Sequence, residues 1–193
     1  MTYSSSRMRA GSARAAALAL LGFLVWTASA LAQSLGPGAR SFSACARVPD
    51  ATRLDILRRP GVDAVLCPIA PGLQVAVLSD ETVSWPVILG GRGSAVSLED
   101  PVAKRAWFSN TSPVRIRPGR ERFLAVPGAD GIPAALVYSG FVSRTDGPGS
   151  ANVFVALRLR PQPCLLGVTR APAAALRLAR DASASCISPF GQG

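Results

Sequence analysis

Four cysteines, Cys45, Cys67, Cys164 and Cys186, frame this chain as two pairs, each pair 22 residues apart. What they do depends on the compartment, and the N-terminus specifies one. Arg7, Arg9 and Arg14 form a basic start with no acid before Asp50. An apolar run follows from Ala15 to Trp26, and Ala30-Leu31-Ala32 places small residues just ahead of Gln33. This is the order of a secretory signal: positive charge holds the start on the cytoplasmic side, the apolar run enters the membrane, and small side chains fit the peptidase. The apolar run is about 12 residues long, and a membrane span needs about 20. Residues 1–32 are therefore expected to be cleaved as a signal peptide. No cysteine sits at the cleavage point for lipid attachment, no twin-arginine pair precedes the apolar run, and no later segment is apolar enough to span. The expected address is a bacterial periplasm or the exterior, with no integral membrane segment after cleavage. There an even number of cysteines pairs into disulfides.

Four cysteines allow three connectivities, and chain reach separates them. Residues 164–170 (CLLGVTR) read as a strand, about 23 Å at about 3.3 Å per residue. Residues 172–184 read as a helix, about 20 Å at about 1.5 Å per residue. A helix packed back along its strand returns Cys186 to Cys164. The N-terminal pair has the reverse order, a short helix followed by an extended GVDAVLC that ends on Cys67. The expected pairing is Cys45–Cys67 and Cys164–Cys186. The cysteines are too widely spaced for a metal knuckle, there is no histidine, and no C-x-x-C suggests redox turnover. No metal or cofactor is expected.

Residues 33–43 show no apolar period and read as a flexible lead-in to a single globular domain over 44–187, with 188–193 as a loose tail. Asp50 suits the N-cap of a helix over 52–59 with Leu54, Ile56 and Leu57 facing inward, ended by Pro60-Gly61. The middle of the chain is strand-rich. In Leu73–Ser79, Leu73, Val75 and Val77 alternate with Ala76 and Leu78, as in a strand buried on both faces. Residues 83–89 form a further strand, with Pro86 assigning it to an edge or a bulge. Residues 94–98 and 105–109 are short strand candidates. Residues 114–126 read as a hairpin around Pro118-Gly119, and 136–143 with 152–160 as a second antiparallel pair. A last strand and a helix opened by Pro172 follow. Grouped strands with helices near the ends define an α+β fold, a mostly antiparallel sheet of about six to eight strands, a short N-terminal and a C-terminal helix, and two disulfides.

Charge is the remaining signal. The chain has 21 basic and 11 acidic residues, a net +10. Three arginines leave with the signal, so 18 basic residues face 11 acidic ones in the mature chain, a net +7. Such a charge attracts anions at long range. Export makes nucleic acid an unlikely partner. Arg115 and Arg117 share one face of their strand, Arg120 and Arg122 lie in or after the turn, and Arg158 and Arg160 share a face further on. If these strands are neighbours, six guanidinium groups converge and bind an anion with forked hydrogen bonds. The alternative is an ordinary solvated sheet face. Catalytic signals are weak. Without histidine there is no Ser-His-Asp triad. Ser94 with Lys104, Glu99-Asp100, the GGRG run at 90–93 and the Asn110-Thr111-Ser112 sequon lack the context each chemistry needs. Trp85, Trp107 and Phe108 read as core before ligand platform. The expected function is a non-enzymatic exported domain that binds an anionic envelope component or an acidic protein through the arginine face. A structural or inhibitor-like protein-interaction module is the alternative, and an enzyme that works without histidine a third reading. A concentrated basic patch favours the first and dispersed charge the second. The sequence does not specify an oligomeric state.

Overall fold

The run Leu73–Ser79 shows how this chain becomes two sheets. Val75 and Val77 point to one face and meet a cluster that also holds Ile88, Tyr138, Val153, Val155 and Leu157. Ala76 and Leu78 point to the other face and meet Leu57, Trp85, Val87 and Ala103. A strand apolar on both faces must be covered twice, and each valine or leucine so buried contributes about 1.5–3 kcal/mol. The structure is a computed structural model, and it describes residues 35–48, 55–57, 59–90, 94–117 and 120–187. The expected signal peptide, the expected Asp50 cap with Leu54, and the 188–193 segment lie outside the described residues.

Ten strands form two five-stranded antiparallel sheets. The first contains β1 (Arg40–Ser41), β7 (Arg122–Pro127), β8 (Pro133–Ser143), β9 (Ser150–Arg158) and β10 (Cys164–Thr169), in that spatial order. The second contains β2 (Ala46–Arg47), β3 (Asp63–Ala70), β4 (Leu73–Ser79), β5 (Ser84–Leu89) and β6 (Ala95–Ser97), also in order. The inner faces share the first cluster. The C-terminal helix α2 (Pro172–Arg180) covers the outer face of the first sheet, where Ala175 and Ala179 meet Ala135, Val137, Phe154 and Ala156. The 3-10 turn Asp55–Leu57 and the short helix α1 (Glu99–Ala103) supply Leu57 and Ala103 to the outer face of the second. The fold is α+β with ten strands, more than the six to eight expected. Two-residue strands such as β1 and β2 carry no periodicity to read.

Both disulfides join the expected partners. Cys45 bonds Cys67, fastening β2 to β3, and Cys164 bonds Cys186, fastening the start of β10 to the segment after α2. Each closes a short loop, and the restricted unfolded chain is worth about 3 kcal/mol.

Several expectations need correction. From Leu35 onward the segment read as a flexible lead-in is packed: Leu35, Ala39 and Phe42 are all buried. Residues 105–109 form no strand. Instead Trp107 donates its indole N–H to the Pro101 carbonyl at 3.1 Å, and the Arg105 guanidinium lies 3.7 Å from its ring centre. Strand β5 is not at an edge, since β4 and β6 flank it. Pro86 fits because it lies one residue past the last rung with β6, Val87 opposite Ser97, and its carbonyl accepts the Leu98 N–H at 3.0 Å on that side. A residue's N–H and C=O point the same way in a strand, so the missing donor falls where the ladder has ended. The helix read as 172–184 stops at Arg180 because Asp181 takes the backbone N–H and hydroxyl of Ser183 onto its own carboxylate.

The hairpin expected over 114–126 is instead an interrupted line of pairing along one side of β8. Thr111 and Arg115 bridge to Arg144 and Phe141, while Phe123–Val126 pair with Tyr138–Ala135. Both halves therefore lie in series along β8 rather than against each other. Gly140 permits this: a Cβ there would come within 2.8 Å of the Val114 side chain and 2.9 Å of the Arg115 carbonyl.

Tyr138 shows the cost of burying a polar atom. Its side chain is fully buried and its hydroxyl has no hydrogen-bond partner among the described residues, and burial pushes its ionisation far above the usual phenol range. An unsatisfied buried polar atom costs about 1–3 kcal/mol. Tyr138→Phe is expected to raise stability by about 1 kcal/mol in urea unfolding of the oxidised protein. A loss of that size would reveal a partner for the hydroxyl.

Candidate functional site

The six arginines singled out in the sequence do not converge. Arg158, on β9, sends its guanidinium to the carbonyls of Ala182 (3.5 Å) and Ala184 and lies 3.7 Å from the Cys186 sulfur. Arg160 pairs with Asp130 and donates to the carbonyls of Ile132 (2.9 Å) and Pro133 (3.1 Å), fastening the β7–β8 turn. That contact holds the Asp130 carboxyl below its usual range. Arg122 donates to the Ala39 carbonyl at 2.9 Å and ties down the N-terminal segment. Arg120 is exposed, and its guanidinium has no partner among the described residues. Alternation predicted which side of a strand these residues leave. It did not predict the carbonyls and carboxylates waiting there.

Arg115 and Arg117 do share a side. Both guanidinium groups sit over the Phe141 ring, at 5.4 and 3.8 Å from its centre. Their surroundings differ. Arg117 is neutralised by Glu121, whose carboxylate accepts the Arg117 backbone N–H at 2.5 Å and its Nε at 3.0 Å. Arg115 is half-buried, and its hydrogen bond goes to the Glu81 carbonyl at 2.8 Å.

Arg115 lines a cleft of about 380 Å³ between the two sheets. Its floor follows from register. Asp63 pairs with Ser79 and Ser79 with Ser84, so three polar residues form the last rung of β3, β4 and β5. They lie on the same face as Val65 and Val77, one step beyond the apolar core. The Ser79 hydroxyl donates to Ser84 Oγ at 2.9 Å, and Ser84 donates to the Ile116 carbonyl at 3.4 Å, bridging the sheets. Asp80 closes the β4–β5 turn. It accepts the N–H groups of Val83 (2.6 Å) and Thr82 (2.7 Å), which hold its carboxyl below the usual range. Arg47 lines the opposite wall, on the strand that the Cys45–Cys67 disulfide fastens to β3. Arg47 and Asp63 are both exposed, and neither side chain has a hydrogen bond or ion pair among the described residues. The sequence offered no signal for them, because each is a single charge on a strand whose face was undetermined.

The other candidates are accounted for elsewhere. Glu99 meets Arg59 at 2.6 Å, and Lys104 meets Asp100 at 2.7 Å, a surface charge group worth little. Gly90 donates to the Ser94 carbonyl at 2.9 Å, closing the β5–β6 connection, with residues 91–93 outside the described residues. Trp85 is buried on the outer face of the second sheet, and Phe108 sits under the Arg170 guanidinium. Asn110, in the left-handed region at φ 56°, donates its amide to Asp146 at 3.3 Å. Among the described residues no three His, Cys, Asp or Glu side chains gather as a metal site, and no helix is long and apolar enough to cross a membrane.

Fold and cleft together define a class: a two-sheet α+β domain closed by two disulfides, with a mixed-charge cleft between its sheets. No protein-family model, curated protein or solved structure matches the chain.

Proposed function

We propose that the chain is exported by its first 32 residues to a bacterial periplasm or beyond. There the mature domain acts as a non-enzymatic protein-interaction module that takes an acidic group of its partner into the cleft between the sheets. The observation that carries this reading is the company of two charges of opposite sign that have no partner among the described residues, Arg47 and Asp63, with the half-buried Arg115 in one cleft. A lipid surface or an anionic wall polymer is held by a broad field of one sign. Here the arginines are dispersed, and four of the six expected to form such a field fasten loops or the N-terminal segment. A protein segment presents both signs, and Arg115, steadied by Phe141 and the Glu81 carbonyl, is set to hold a carboxylate. The mature net charge of +7 supports an anionic envelope component as the second reading.

Titration of the oxidised chain lacking residues 1–32 with an N-acetylated hexaglutamate peptide and with phosphatidylglycerol vesicles separates the two. The peptide is expected to shift the amide resonances of residues 63–65, 79–81 and 115–117. Arg47→Glu with Arg115→Glu is expected to weaken it at least about tenfold, since a charge-assisted hydrogen bond is worth about 1.5–3 kcal/mol. Vesicle binding that is steeply salt-dependent and survives both substitutions would transfer the function to the second reading.

A further inference from the structure

We infer that the Cys164–Cys186 disulfide is an exchangeable clasp, whose reduction releases segment 181–187 from the edge of β10, whereas Cys45–Cys67 is a fixed structural bond. The two bonds differ in surroundings. Cys67 is fully buried in the middle of β3, inside the cluster between the sheets. Cys186 is exposed, in an irregular segment beyond α2. That segment wraps one edge of the first sheet. Ala184 packs against the cluster under α2, Ile187 packs against the cluster between the sheets, and the Ile187 N–H donates to the Leu165 carbonyl at 2.8 Å. It therefore covers an otherwise open strand edge.

Arg158 holds the segment from below. Its guanidinium bonds the Ala182 and Ala184 carbonyls and reaches the Cys186 sulfur at 3.7 Å. Asp181 also acts on it; its carboxylate is occupied by Ser183, which chiefly lowers its ionisation, with a smaller contribution from Arg158. Thiol–disulfide exchange needs an accessible sulfur and a stabilised leaving thiolate. Cys186 supplies the first, and Arg158 supplies the second for the step in which Cys186 departs. A thiolate of a small dithiol attacks the exposed Cys186 sulfur, and the bond electrons pass to Cys164, which takes the proton of the reagent's second thiol. That second sulfur, now a thiolate, attacks the reagent sulfur of the mixed disulfide and expels Cys186 as a thiolate against the guanidinium. The reagent leaves as its cyclic disulfide, having supplied two electrons and one proton. Once open, the segment is held by the Ile187 hydrogen bond, the Ala184 and Ile187 side-chain contacts and Arg158, with no covalent tie, and its release makes the β10 edge at Leu165–Gly167 available.

Graded dithiothreitol treatment of the native oxidised protein, followed by iodoacetamide trapping and peptide mapping, tests this. Cys164 and Cys186 are expected to label together at a dithiothreitol concentration roughly tenfold below that which labels Cys45 and Cys67. In the singly opened species, amide exchange should rise over 182–187 and at Leu165–Gly167 while β3–β5 stay protected. In the reduced protein Arg158→Ala should move the alkylation pH profile of Cys186 upward, and Arg158→Lys should restore part of the shift. The inference is overturned if both disulfides open together with global unfolding, if Cys45–Cys67 opens first, or if the opened species shows no added exchange over 182–187.

Discussion

Replacing Phe42 with alanine is expected to destabilise the oxidised protein by about 3–5 kcal/mol, the range for emptying a buried aromatic site. Phe42 stands where the chain leaves β1 in the first sheet and crosses to β2 in the second. It is 1% exposed, its ring centre lies 4.9 Å from that of Phe123, and it meets Tyr138 edge-on at 6.0 Å. The site cannot collapse easily, because sheets on both sides frame it and the nearby Cys45–Cys67 bond limits how β2 can follow. Domain stabilities of about 5–15 kcal/mol leave little after such a loss. Phe42→Leu, which keeps most of the volume, should cost less than about 1.5 kcal/mol. Urea unfolding of both variants measures the difference. Equal losses would mean that the crossing is held by the backbone and the disulfide rather than by the ring.

Replacing Glu121 with alanine is expected to cost about 3 kcal/mol. The Glu121 side chain is 4% exposed and accepts two hydrogen bonds from Arg117, one from its backbone N–H and one from Nε, with Nη2 paired to the same carboxylate at 2.9 Å. Breaking a buried pair strands the remaining charge, at about 3–5 kcal/mol. The lower end applies because the Arg117 side chain is 38% exposed and can rehydrate. Glu121 and Arg117 stand where the first part of the pairing along β8 gives way to β7, and the Arg120 and Glu121 N–H groups both donate to the Arg117 carbonyl there. The loss should therefore come with faster amide exchange at Arg115 and Phe141, whose backbones bond each other at 2.9 Å. Unfolding in urea with exchange mapping checks both parts, and a loss confined to stability would dissociate the pair from the strand path. The same geometry makes Arg117 a poor probe of binding, since reversing its charge sets two carboxylates against each other inside the fold.

Strands with a complete period were legible. Leu73–Ser79 and Ser150–Arg158 carry strict alternation, and their two faces meet two clusters in each case. The Cys164–Cys186 pairing was legible because a helix following its strand turns the chain back, although the helix ends at Arg180 and the irregular segment after it completes the return. The interrupted pairing along β8 was not. Pro118-Gly119 is a turn signal, but whether the flanking segments pair with each other or with a third strand depends on Gly140, far along the sequence. The arginine face failed for a related reason. Alternation orders side chains along one strand, whereas the partners of Arg122, Arg158 and Arg160 come from residues 24 to 83 positions away. The cleft was legible only in part. Arg115 was named, but Arg47 and Asp63 acquire meaning only from the register that brings β2 and β3 to the same opening.

The central claim is that the cleft, and not the general basic surface, recognises the partner. Arg120 supplies the control, being an exposed arginine whose guanidinium has no partner among the described residues and no place in the cleft lining. Hexaglutamate affinity of the oxidised chain lacking residues 1–32 should then be compared across Arg47→Glu, Arg115→Glu and Arg120→Glu at one ionic strength. Each cleft substitution is expected to weaken binding about tenfold or more, and Arg120→Glu by no more than about twofold, the scale of one screened surface charge. Equal losses at all three positions would contradict the account and return the protein to a diffuse binder of anions.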